Sequence, residues 1–416
     1  MLQNVRGTKD IFLNDIEKWH YVENKIKEVC SLFAYTELRT PIFEKTEVFS
    51  RSIGDTTDIV NKEMYTFVDK GGESITLRPE MTAALVRSVI QNNLTHDVST
   101  LRLYYFGPFF RYERPQKGRL RQFHQFGAEC IASPYPESDV EIIQLAYKLI
   151  QQLGIDNFVL EINSLGNEQS RANYKAALVD YLQQNINHLS LDSQSRLLTN
   201  PLRVLDSKDE KDKLITLNAP NILEYLDKES KEHFDAVVEL LESANVPFVI
   251  SPKLVRGLDY YCHTVFEFKS TALGSQDAFG GGGRYNTLFE QLGGKSTPAV
   301  GFAMGIERLI LILEHLGKFE HQTKNYDIYI VHSGDNTTQY ANQVASSLRN
   351  RGKKVVLDLQ KRSFKAQMRE ADKFGASYSI IIGANELNDN KLTIKNLKDG
   401  GQAEISFKLI NTINFD

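Results

Sequence analysis

Arg111 and Glu113 stand two residues apart at the end of an aromatic run, TLRLYYFGPFFRYE, and Phe123, Gln125, Gly127 and Glu129 alternate along QFHQFGAECIA. Alternate residues of an extended chain share a face. A hairpin made of these two arms therefore presents Arg, Glu, Phe, Gln and Glu together, and unpaired charges buried in an ordinary core would cost roughly several kcal/mol. Such a face is either solvated and laced with surface ion pairs, or it binds a polar ligand. For a ligand, the guanidinium matches phosphate through its planar fork, the phenyl ring suits a stacked base, and the carboxylates suit an amine or a ring N–H. The connecting segment RPQKGRLR adds Arg114, Lys117, Arg119 and Arg121, which read either as a phosphate contact or as a solvated turn.

Three further clusters have the same character. In LVRGLDYYCHTVFEF, Arg256 lies beside Gly257 at a strand entrance, where the missing side chain allows close approach of a ligand. Tyr260 and Tyr261 follow and could equally be cross-strand packing residues. FGGGGRYN reads as a glycine-rich turn ending in Arg284 and Tyr285. It forms no G-x-G-x-x-G, and GGKS at 293–296 is no phosphate loop because Phe289 occupies the position of the earlier glycine, so the glycines are expected to let backbone approach a ligand or another strand. In GFAMGIERL, Gly305 opens a helix and Arg308 falls in its first turn, where a cation opposes the helix dipole. An anionic ligand would explain that placement.

The elements around these clusters set their geometry. Ile16, Trp19, Val22, Ile26, Val29 and Phe33 recur at spacings of three and four, which predicts an amphipathic helix over 14–33. TELRTPIF reads as extended and is interrupted by Pro41. SITLRP reads as a strand, followed by a helix from about Glu80. Residues 100–131 form the hairpin, 137–153 a helix and NFVLEINSLG a strand. From about 168 to 245 strand signals vanish, which predicts a helical insertion. A boundary is expected near HQTKNYDIYIV, between a domain over 1–325 and a smaller one over 326–416. The latter alternates strand and helix, predicting an α/β domain with a largely parallel sheet core. It holds 13 Lys and Arg against 10 Asp and Glu, whereas the whole 416-residue chain has a net charge of −4. The basic excess is therefore segregated into the tail. No apolar run reaches the roughly 18 residues of a membrane helix, no apolar leader opens the chain, and Cys30, Cys130 and Cys262 form no CxxC pair. A cytoplasmic protein without disulfides, metal centre or membrane contact is expected.

Taken together, these segments resemble the class II aminoacyl-tRNA synthetases. FRYE with its loop, Phe123 and Glu129 look like the second class-defining motif, GFAMGIERL like the third, and the first helix with TELRTPIF like the looser first, a dimer interface in that class. TLRPE (76–80), RQFHQFGAE (121–129), LVRGLDYY (254–261) and GGGRYN (281–286) narrow the resemblance to the histidyl-tRNA synthetase family. The resemblance implies an α+β fold: a six-stranded antiparallel sheet flanked by helices, a helical insertion, and a C-terminal α/β anticodon-binding domain. It implies a homodimer that ligates L-histidine to tRNA(His) through histidyl-adenylate, with ATP entering as its Mg²⁺ complex and no tightly bound cofactor.

The resemblance also implies residue roles. Arg111 would bind the α-phosphate of ATP, Arg119 and Arg308 other phosphates, Phe123 the adenine ring, with Arg308 on its other face, and Glu113 the adenine amino group. Glu80 and Gln125 would hold the histidine ammonium, and Glu129 and Tyr261 its imidazole, with Tyr260 and Tyr285 beside them. Arg256 would face the α-phosphate opposite Arg111, and Lys117, Arg362, Lys365 and Arg369 would meet tRNA. An alternative reading is a non-catalytic, synthetase-like histidine-binding regulatory subunit of ATP phosphoribosyltransferase. Those paralogues lack the basic tail and have degraded ATP and LVRGLDYY signatures.

Overall fold

The computed structural model describes residues 2–53, 59–258, 260–274, 277–319 and 326–415, which fall into two compact units, one before 320 and one after it. The expected boundary in HQTKNY lies almost entirely outside the described residues.

The first unit contains, in chain order, β1 (Thr36–Glu37), β2 (Phe43–Lys45), β3 (Tyr65–Val68), β4 (Ser74–Leu77), β5 (Leu101–Phe110), β6 (Gln122–Ile131), β7 (Val159–Ser164), β8 (Val249–Ile250), β9 (Cys262–Lys269), β10 (Ala278–Tyr285) and β11 (Ala299–Gly305). The main sheet runs β1-β5-β6-β11-β10-β9-β7-β8. Its six long strands, β5 to β7 in that order, are antiparallel as expected. The two-residue strands β1 and β8 extend the edges in parallel. A separate antiparallel sheet, β2-β4-β3, stands beside it.

Helices cover both faces. Asn14–Leu32 buries Trp19, Val22, Ile26 and Val29, the stripe its spacing predicts. With Pro136–Gln152, Lys228–Ser243 and Ile306–His315 it packs on one face around Phe126, Phe266 and Phe302. The other face meets Thr82–Gln91 and the insertion, around Tyr105, Phe109, Tyr261 and Tyr285. The insertion is helical throughout. Four of its helices begin at Asn167, Ser190, Asp209 and Asp227, and each of these side chains accepts from a backbone N–H of the first turn, the preferred N-cap chemistry.

Two expectations are corrected. FGGGGRYN is no turn: it is β10, in the interior of the sheet between β9 and β11. The glycines serve the expected close approach of backbone to another strand. A Cβ on Gly282 would lie 1.9 Å from the carbonyl oxygen of Gly301. Arg111 and Glu113 do not extend β5, which ends at Phe110. Arg111 N–H still donates to the carbonyl of Arg121, but Tyr112 N–H donates to the carbonyl of Glu63 and Glu113 N–H back to that of Arg111, while on the return arm Arg121 N–H donates to the carbonyl of Gly7, so the ladder ends there.

The second unit has β12 (Tyr326–His332), β13 (Val355–Leu357), β14 (Ala376–Ile382), β15 (Lys391–Asn396) and β16 (Gln402–Ser406), ordered β13-β12-β14-β15-β16. The first three are parallel, but β15 and β16 are antiparallel, so the sheet is mixed where a largely parallel core was expected. KLTIKNLKDGGQAEIS forms a hairpin, which needs no crossover helix.

Candidate active site

One cavity of about 470 Å³ opens on the sheet face carrying β6, β10 and β11. Arg111, Glu113, Arg119, Phe123, Arg308, Glu80, Gln125, Glu129, Arg256, Tyr260, Tyr261 and Tyr285 all line it. These residues come from five segments spread over more than half the chain.

The acidic part is buried. Glu80 lies just ahead of helix Thr82–Gln91 and accepts from the backbone N–H groups of Thr82 (2.6 Å) and Ala83 (3.0 Å). Burial still raises its carboxyl above the ordinary range. Glu129, on β6, accepts from Tyr285 Oη at 2.8 Å and Thr82 Oγ1 at 3.0 Å. Burial pushes it up to about 8 against those two donors. Burial also raises the phenols of Tyr260, Tyr261 and Tyr285, so all three are neutral donors. Two buried carboxyls beside neutral phenols form a pocket for a small ligand with N–H groups, and a charged amine would restore ionisation.

Cations line the rest. Arg111 Nε donates to the carbonyl of Pro79 at 2.9 Å, and its guanidinium lies 5.2 Å from the centre of the Phe123 ring. Arg119 pairs with Glu113 at 3.1 Å. Arg308, in the first turn of Ile306–His315, donates to the carbonyl of Ala278. Burial first, and then Arg119, lower its affinity for its proton. An anion between the two would relieve both costs. The next helical residue back, Glu307, accepts from His124 N–H at 3.0 Å and meets His124 Nδ1 at 3.0 Å, tying that helix to β6.

Arg256 lies in the segment before β9, outside the strand itself. It donates to Glu267 Oε1 at 2.5 Å, and its Nε is buried without a hydrogen-bond partner. Burial disfavours the charge, but Glu267 outweighs it and holds the guanidinium above its ordinary range. Gly281 makes the room, since a Cβ there would sit 2.9 Å from Arg256 Nη1. An orphaned buried donor in a cavity wall is a group prepared for a ligand acceptor.

Behind this face, Arg284 is fully buried and gives its donors to Asp139, the carbonyls of Ser133 and Tyr135, and Ser138 Oγ. Its β10 neighbour Tyr285 points the opposite way, into the cavity, so the buried ion pair anchors the strand that presents the phenol.

Lys117 is exposed and lines a separate, smaller hollow near Trp19. In the second unit Lys365 and Arg369 are exposed, whereas Arg362 is clasped by Asp358 at 2.6 Å and by Glu370. Sequence reasoning did not single out Arg203, Asp206 and Lys208, which the insertion contributes to the cavity, nor Glu267. Glu267 had a signal, a lone carboxylate in the apolar strand CHTVFEFK. The insertion residues had none, being surface-type residues between helices.

Among the described residues no three His, Cys, Asp or Glu side chains are grouped to hold a metal, and no helix is long and apolar enough to cross a membrane.

Comparison with known proteins accounts for this arrangement. Residues 7–309 match the histidyl-tRNA synthetase family and 327–413 the anticodon binding domain family. A histidine–tRNA ligase of Streptococcus pyogenes serotype M18 is 47% identical over 409 residues, covering 98% of this chain and 96% of the relative. The structure of apo S. aureus histidyl-tRNA synthetase superposes with a TM-score of 0.84 at 39% identity over 100% of both chains. An ATP phosphoribosyltransferase regulatory subunit/histidyl-tRNA synthetase from Bacillus halodurans shares the fold at a TM-score of 0.68 but only 22% identity, over 92% of this chain and 99% of that one. With the signatures converging on one cavity and identity near one half sustained across both units, the chain belongs to the histidyl-tRNA synthetase family.

Proposed function

We propose that the cavity is where this chain, an ATP-dependent ligase that charges tRNA with histidine, makes its histidyl-adenylate. The observation supporting this is the pairing, in one cavity, of a buried Glu129–Tyr285–Thr82 cluster with Arg111, Arg119, Arg256 and Arg308. The first suits an imidazole, the second a triphosphate.

Histidine enters with its imidazole toward Glu129 and Tyr261 and its ammonium toward Glu80 and Gln125. Tyr260 and Tyr285 hold the walls, Tyr285 by fixing the Glu129 carboxyl. ATP lies against Phe123, with Glu113 taking the adenine amino group and Arg119 and Arg308 the outer phosphates. ATP arrives as its Mg²⁺ complex. The histidine carboxylate attacks the α-phosphorus in line, pyrophosphate leaves, and Arg111 and Arg256 meet the charge that builds on the α-phosphate. The terminal ribose hydroxyl of the tRNA then attacks the activated carbonyl and releases AMP. Neither step needs an enzymic nucleophile. Positioning and preorganised cations supply the catalysis.

We read the second unit as the anticodon-binding domain, with Lys365 and Arg369 as exposed phosphate contacts and Arg362 holding the start of their helix. Lys117, on the loop after β5, would meet the acceptor end. The exposed Phe43 and Phe67 on the β2-β4-β3 sheet support a homodimer. Histidine-dependent ATP–pyrophosphate exchange, together with charging of tRNA(His), tests the assignment. A chain that bound histidine but exchanged no pyrophosphate would be the regulatory-subunit alternative.

A further inference from the structure

We infer that the root of the helical insertion positions Tyr261, so that Arg171 and His263 control histidine binding without touching it. This rests on the reading of Tyr261 as an imidazole contact. Between β9 and β10 the register breaks: Gly283 faces Val265, but Arg284 faces Cys262, so His263 and Thr264 form a bulge with no partners on β10. Bulges redirect the chain beside them, and this one lies two residues after Tyr261. His263 has φ of 45°, a left-handed conformation uncommon for a residue with a side chain, and such a conformation persists only where its surroundings impose it.

Three contacts impose it, and all come from the insertion or from the turn that leads into it. The His263 N–H donates to the carbonyl of Gly166 at 2.9 Å, and the Leu165 N–H donates to the carbonyl of His263 at 2.8 Å. The ring of His263 lies 5.4 Å from that of His233, on the insertion's last helix. Arg171, in the first turn of the insertion's first helix, reaches past the bulge and donates from Nη1 to the carbonyl of Tyr261 at 2.8 Å. Both ends of the insertion therefore grip residues 261–263. The Tyr261 phenol, by contrast, is aimed at the cavity, where its ring neighbours Tyr260 at 4.7 Å and the Arg256 guanidinium at 6.0 Å. Arg171 is a positioning residue: it acts on the backbone of the residue that meets the ligand.

The test uses the full-length enzyme and measures KM for histidine and for ATP in pyrophosphate exchange, with melting temperature alongside. Arg171→Met should raise the histidine KM about tenfold, the scale of one lost hydrogen bond, while the ATP KM stays within about twofold. Arg171→Lys should restore most of the loss. In a Tyr261→Phe background, Arg171→Met should add little, because both changes act through one side chain. At the bulge, His263→Asn, which tolerates positive φ, should keep the histidine KM near wild type, whereas His263→Val should raise it. Full additivity of Arg171→Met with Tyr261→Phe, or equal rises in both KM values, overturns the inference. If Tyr261→Phe raises the histidine KM and Arg171→Met does not, the inference alone fails. If Tyr261→Phe itself leaves the histidine KM unchanged, the pocket reading fails and the inference falls with it.

Discussion

Tyr285 on β10 donates to Glu129 on β6 across the intervening strand β11, and the 2.8 Å bond passes over Gly301. A Cβ at that glycine would lie 1.5 Å from Glu129 Oε2. The carboxylate thus occupies space that only a missing side chain leaves free.

Gly301→Ala should therefore displace the Glu129 carboxyl and also press on the carbonyl oxygen of Ala128 on β6, 2.7 Å from the new Cβ. Misplacing a contact group by about 1 Å can cost roughly 10²-fold in rate, and overpacking costs about 1–3 kcal/mol. The expected result is near-complete loss of histidine-dependent exchange with a modestly lowered melting temperature. Wild-type exchange in this variant would show that Glu129 is not part of the pocket.

The burial of Glu129 makes unliganded stability depend on pH. Its carboxyl titrates near 8 when folded against an ordinary 4.5. Between those values the folded chain holds a proton that the unfolded chain has released, so this group's contribution to stability falls as pH rises across the window. Glu129→Gln lacks that titration. The melting temperature of wild type relative to Glu129→Gln should decline steadily from pH 5 to pH 8, and parallel curves would contradict the assignment.

Arg256→Ala removes the buried donor whose Nε has no hydrogen-bond partner. Loss of one preorganised donor to developing charge slows chemistry by about 10²–10³-fold. Adenylate formation in single turnover should fall by that factor while histidine affinity changes much less. A rate within about threefold of wild type would remove Arg256 from the chemistry.

Deleting residues 326–416 should leave histidine-dependent exchange measurable, because every residue lining the cavity precedes 309. Charging of tRNA should drop sharply through weaker binding, since phosphate and anticodon contacts are lost together. A truncated protein with an unchanged oligomeric state and normal melting that still charged tRNA at the full-length rate, at equal salt, would refute anticodon reading by the second unit.

The sequence made much of this legible for identifiable reasons. The stripe from Trp19 to Val29 and the alternation of Phe123, Gln125 and Glu129 are local periodicities that tertiary packing preserved. Arg111 and Glu113 lie on the cavity as expected but beyond the strand, because Tyr112 between them bonds the carbonyl of Glu63, some fifty residues away and invisible to local pattern. The four glycines of β10 carry strong turn propensity, and only packing between two strands reverses it. Arg203 and Lys208 reach the cavity through the fold of the insertion, which leaves no local pattern.

The glycine strand has one more consequence. Because β10 presents bare backbone to the cavity at Gly280 and Gly281, and a side chain at Gly281 would begin 2.7 Å from the carbonyl oxygen of Phe266 and 2.9 Å from Arg256 Nη1, that wall resists remodelling by point substitution. Drift in amino-acid preference, or laboratory redesign of it, is confined to the opposite walls. There each candidate, Glu129 or Tyr261, is already tied to a second element, so a change of substrate needs at least two coordinated substitutions. Fidelity in this chain is thus guarded by the absence of side chains as much as by their presence.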